Sequence, residues 1–152
     1  MQAVAAKDQS ANLQDIVNYN NTAVVSRIAK EVGLSKKEAE ALFHDTKLFL
    51  YLCASRKDGP FVPSRAIDAA WHQFLLFTKD YRDFCHRFFG RFLHHQPHDS
   101  RNASKRGGAL RTLRVAQSVF AWPLSPNWGD PAPAEVLAPC DSCGCDAACS
   151  DD

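Results

Sequence analysis

What this chain lacks narrows it quickly. No run of eighteen apolar residues occurs, so no membrane-spanning helix is expected. Met1–Asp8 shows no basic stretch followed by a long apolar one, so no secretory signal is expected and the cytoplasm is the expected compartment. Gly-x-Ser-x-Gly, a phosphate-binding glycine loop and His-Glu-x-x-His are all absent, which removes three common catalytic signatures. Seven glycines in 152 residues form no glycine-rich tract. Bases are missing from the end of the chain: none follows Arg114, while six acids follow residue 129. Eighteen bases against eleven acids before that point leave a body of +7 and a tail of −6.

What is present is aromatic and helical. Ten Phe and three Trp predict a core built largely on rings. Residues 1–20 are polar and read as a loose arm, with one helical turn around Leu13, Ile16 and Val17. Thr22 is placed to cap a helix running to Val32, its buried face formed by Val24, Val25, Ile28 and Ala29, and Gly33 stops it. Ser35-Lys-Lys-Glu38 is a capping box, and the helix it opens runs to about Arg56. Leu48 to Cys53 is apolar all round, the pattern of a central helix. The prolines of Gly59-Pro60-Phe61-Val62-Pro63 make a loop, and Ser64 caps the next helix. Its apolar face is Ile67, Trp71, Phe74, Leu75 and Thr78, and Tyr81, Phe84, Cys85 and Phe88 continue it until Gly90.

Beyond Gly90, Phe92-Leu93 read as a short extended piece, and residues 98–108 as a polar, mobile stretch. A last helix is expected over 109–120, with Leu110, Leu113, Val115 or Ala116, and Val119 inward. From Pro123 four further prolines break the pattern, and no packed core is expected there. The predicted fold is all-α: a bundle of four to six helices over 21–122, an arm over 1–20, and a disordered Pro-rich linker with an acidic Cys-rich tail over 123–152.

Asp68-x-x-Trp71-His72, Thr78-x-x-Tyr81-x-x-Phe84-Cys85 and Gly90-x-x-x-His94-His95-x-Pro97 follow one another in order. On these motifs the chain resembles the glycine-rich domain-containing protein-like family, over roughly residues 30–128. The resemblance implies a helical domain and brings no catalytic residues. The roles linked to a glycine-rich tract in longer plant members do not transfer, because the tract is absent here.

Two constellations carry chemistry. Asp68 precedes His72 by four residues, so on a helix its carboxylate lies beside the imidazole and can fix the tautomer of a metal ligand. His94 or His95 can add a ligand, and their alternation in an extended segment lets one of them turn inward. Cys85 joins such a set only if the chain bends near Thr78-Lys-Asp-Tyr81, since on a straight helix it stands about 20 Å from His72. The plainer reading is a hydrogen-bonded His72, a buried hydrophobic Cys85 and two histidines capping a turn before Pro97.

The second constellation is Cys140-x-x-Cys143-x-Cys145-x-x-x-Cys149. Four thiolates so spaced can wrap Zn²⁺ or hold Cu(I), while a disordered thiol-rich tail, one or two local disulfides, or modification by a partner enzyme are the alternatives. His44-Asp45 is expected to be solvent-exposed. The basic residues of 82–114 are loosely spaced and match no nucleic-acid-binding motif, so a solvated face is the simpler reading. In a reducing cytosol, free or metal-bound cysteines are expected. The function expected is metal binding, of zinc or copper, without catalysis. A protein-interaction module whose tail a partner reads is the alternative, and a metal-dependent enzyme using Asp68 and His72 the third.

Overall fold

A computed structural model describes residues 13–96, 105–120, 123–129 and 148–150, without the side chains of 96, 105–107 and 148–150. The fold is all-α. Helix α1 covers 13–18, followed by α2 (Thr22–Val32), α3 (Lys36–Ser55), α4 (Arg65–Leu76), α5 (Thr78–Phe89) and α6 (Lys105–Phe120). A 3₁₀ turn spans Pro126–Trp128. Two three-residue strands, β1 (His94–Gln96) and β2 (Ala148–Ser150), pair antiparallel with His94 opposite Ser150 and His95 opposite Cys149.

Local chemistry sets most of the boundaries. The capping box forms as predicted: Ser35 Oγ accepts from the Glu38 amide, and the Glu38 carboxylate accepts from the Ser35 amide at 2.8 Å. Ser64 Oγ accepts from the Ile67 amide to open α4. At α2 the cap is Asn21 rather than Thr22; its side-chain oxygen accepts from the Val24 amide. Gly90 ends α5 at φ 70°, a left-handed conformation that a side chain would strain.

Helix α3 is central, packing against α2, α4, α5 and the 3₁₀ turn, with Leu48, Phe49, Leu50 and Leu52 fully buried. Each such side chain contributes about 1.5–3 kcal/mol by leaving water. Rings fill the space between helices: Phe74 meets Phe43, Tyr81 and Phe84 edge-on at 5.1–5.3 Å. The chain does bend between α4 and α5, at Phe77.

Several expectations change. Helix α6 begins at Lys105, four residues before the predicted start, and buries Thr112, Leu113, Ala116 and Phe120 while Leu110 stays exposed. Its close approach to the 59–63 loop requires Gly108, where a Cβ would meet Val62 Cγ2 at 2.8 Å. The extended pairing falls on His94–Gln96 rather than Phe92-Leu93, because a strand is defined by a partner that comes here from the chain's far end. Residues 123–129, expected to have no packed core, do pack: Trp128 is buried against Phe49 and Phe120. Asp45, expected at the surface, is the reason. Its carboxylate accepts from Ser125 Oγ (2.6 Å), Asn127 Nδ2 (2.9 Å) and Trp128 Nε1 (3.2 Å).

Candidate metal centre

Asp68 sits in the first turn of α4, where the helix dipole favours a negative charge, and it is buried. His72 follows one turn later on the same face and is exposed. The third member arrives from β1: the Asp68 carboxylate accepts from His95 Nε2 at 2.8 Å, with both side chains almost wholly buried. One ligand-type atom from each of Asp68, His72 and His95 lies within 4.8 Å of the others. The His72 and His95 rings meet edge to face at 4.9 Å.

Tyr81 holds this geometry in place. Its hydroxyl donates to the Leu93 carbonyl at 2.7 Å and accepts from Trp71 Nε1 at 3.1 Å. Leu93 is two residues from His95, and the Trp71 indole stands edge-on to the His95 ring at 4.5 Å. Burial pushes the Tyr81 phenol well above its ordinary range, so it stays a neutral donor. Trp71 thus walls one side of His95, while Tyr81 ties the strand that carries it to α5.

The sequence-predicted ligands divide. Asp68, His72 and His95 converge. The Asp68 hydrogen bond described goes to His95, not to His72 four residues along. The His94 ring lies against Phe92 at 4.7 Å and outside the cluster. Cys85 leaves the candidate set: it is a fully buried free thiol in the core. Burial raises its pKa, which opposes the thiolate a metal needs. The bend that would have carried it toward His72 turns it inward beside Tyr81 and Leu93 instead. Cys140, Cys143 and Cys145 lie outside the described residues, and of Cys149 only the backbone is described. Cys53 is disulfide-bonded, against the expectation of free or metal-bound cysteines.

The donor set has definite chemical capacity. A tetrahedral zinc with bonds of about 2.0–2.2 Å holds its ligand atoms about 3.3 Å apart. A bound ion would be held by Asp68, His72 and His95, whose ligand-type atoms lie within 4.8 Å of one another. Two imidazoles and a carboxylate suit borderline divalent ions, whereas Cu(I) prefers thiolate.

Fold and cluster together describe a small helical domain with a histidine–carboxylate site at the meeting of α4 and β1. The chain belongs to the UCP032817-like family, whose model matches residues 11–117 and so takes in the whole cluster. No curated protein and no solved structure matches the chain.

Proposed function

We propose that this protein binds a borderline divalent transition metal, with zinc the first candidate, through Asp68, His72 and His95. The observation that carries the reading is the convergence of three ligand-type atoms from two separate elements. The burial of Asp68 and His95 adds support, since two polar side chains are kept out of water with one hydrogen bond described between them. With the cysteines reduced, including the disulfide-bonded Cys53, the tail set Cys140, Cys143, Cys145 and Cys149 is a second proposed site, for zinc or Cu(I), with Cu(I) assigned to the thiols alone. The likeness of the Trp71-His72 and His94-His95-x-Pro97 motifs to glycine-rich domain-containing proteins belongs to the same reading and assigns no chemistry. The cytoplasm is the compartment we propose, and among the described residues no helix is long and apolar enough to cross a membrane.

Equilibrium dialysis of the full chain against Zn²⁺ tests the proposal. One zinc equivalent should disappear in His72→Ala, a substitution at an exposed position that leaves the core intact. An unchanged zinc count would remove the body site.

Three protein ligands leave at least one coordination position open, as catalytic zinc sites do, and His72 lies on the solvent side. That favours a second reading, a metal-dependent enzyme. Substituting Co²⁺ separates the two: a visible spectrum that titrates with pH marks an ionising bound water, and one that does not leaves simple binding.

A further inference from the structure

A recess lies at the joint where α4 gives way to α5, and no step of the metal reading uses it. Its volume is about 400 Å³, within the range of sites for small organic ligands. Leu75 lines it from the end of α4 and Phe92 from beyond α5, with the fully buried Tyr81 behind them. The Tyr81 and Phe92 rings pack edge to face at 5.3 Å, and the Tyr81 hydroxyl is fixed on the Leu93 carbonyl, so this part is pre-formed. Over it stand Lys79, Arg82 and His86, which recur at helical spacing along one face of α5.

Among the described residues, those that line the recess include Lys79, Arg82 and His86 and no carboxylate. Asp83 pairs with Arg82 at 3.0 Å, but both side chains are more than half exposed, and such a pair is weak enough for a ligand to compete with. Asp80 is engaged elsewhere, accepting from Asn21 Nδ2 at 3.2 Å. Thr78 lines the recess from the first turn of α5, a helix whose start carries no side-chain cap. The first-turn amides therefore add their partial positive charge to that of Lys79 and Arg82.

We propose that this recess binds a small amphipathic anion, with its apolar body on Leu75 and Phe92 and its carboxylate or phosphate head on Lys79 and Arg82. The inference is independent of the metal reading: it needs neither Asp68 nor His72.

The test is an NMR titration of the isotope-labelled full chain with three probes of one shape: naphthoate, naphthyl phosphate and the neutral naphthylmethanol. Both anions should give saturable shifts centred on Leu75, Tyr81 and Phe92, and the neutral probe should bind at least tenfold more weakly. The stronger of the two anions identifies the head group. Lys79→Gln with Arg82→Gln, two surface substitutions, should weaken anion binding at least tenfold, while Arg82→Lys keeps most of it. Overturning results are equal binding of the neutral probe, unchanged binding in the double variant, no saturable shift at millimolar probe, or shifts centred on His72 and His95.

Discussion

Two buried carboxylates on neighbouring helices behave in opposite ways. Asp45 on α3 accepts from three donors of one short segment, Ser125, Asn127 and Trp128, and His44 Nδ1 stands 3.8 Å away. Burial alone would push its carboxyl up, but His44 together with the Ser125, Asn127 and Trp128 donors outweighs it and holds the pKa below the ordinary 3.8. Asp68 on α4 is buried as deeply and accepts from a single described donor, His95, with a second imidazole near and solvent beyond. A carboxylate closed in by three donors of one short segment is a clamp. One that shares its surroundings with two imidazoles is a place for a cation. Burial does not distinguish them; the partners do.

Removing the clamp should give the largest effect. Asp45→Ala leaves the Trp128 indole N–H and the Asn127 amide facing a void and frees the 123–129 segment. Hydrogen bonds to a charged group contribute about 1.5–3 kcal/mol each, so denaturant unfolding should show a loss of about 3 kcal/mol or more with zinc binding retained. The acid limb follows with its sign. Because the folded pKa is depressed, the stabilisation is present above pH 3.8 and is lost as pH falls through the lower folded value. The acid unfolding of Asp45→Ala should be correspondingly flatter in that window.

Asp68→Asn should do the reverse, reducing zinc affinity on the order of 100-fold while stability changes by about 1 kcal/mol or less. Competition with a chromophoric chelator reads the first and thermal unfolding the second. A zinc affinity unchanged in Asp68→Asn and reduced in Asp45→Ala would exchange the two roles.

Lys47 sharpens the picture of the clamp end. It is buried two residues from Asp45, donates to the carbonyls of Val17 (2.6 Å) and Tyr19 (2.5 Å), and so fastens the end of α1. Burial lowers its pKa from 10.5 to about 8. A lowered amine pKa means the unfolded chain holds more protons between those values, so stability rises as pH climbs from about 8 to 10.5. The gain should be about 3 kcal/mol, read as the wild-type difference from Lys47→Met. Taking that difference cancels Cys85 and Tyr81, whose raised pKa values act in the other direction at high pH.

Tyr81→Phe should give the smallest change. It removes the hydroxyl between Trp71 and the Leu93 carbonyl, costing about 1 kcal/mol, and loosens the strand that carries His95. Zinc affinity should fall several-fold, recovered in part at higher zinc, with amide exchange faster at 94–96.

The contrast also explains what could be read from the sequence. The caps at Ser35 and Ser64, the stops at Gly33 and Gly90 and the central apolar run of α3 are local signals, and the structure keeps each of them. The candidate pair Asp68 and His72 was legible for the same reason, being one helical turn apart. Asp45 was not: its partners lie 80–83 residues away, and nothing near His44-Asp45 announces them. Trp128, behind several prolines, looked like linker because prolines mark where helices end, not where packing ends. The Asp68–His95 bond spans 27 residues and depends on Tyr81 fixing Leu93, a tertiary arrangement no spacing rule contains. Tyr81 itself read as one more ring in an apolar stripe.

The central claim is that Asp68, His72 and His95 hold a metal without help from the tail. The most direct measurement is the electronic spectrum of the Co²⁺-loaded full chain in which Cys140, Cys143, Cys145 and Cys149 are replaced by Ser, alongside the same protein carrying His95→Ala. One tightly bound Co²⁺ should show visible bands of nitrogen and oxygen ligation and no thiolate charge-transfer band, with both ion and bands lost in His95→Ala. Absence of bound Co²⁺ once the tail thiols are gone, or a spectrum indifferent to His95→Ala, would contradict that claim.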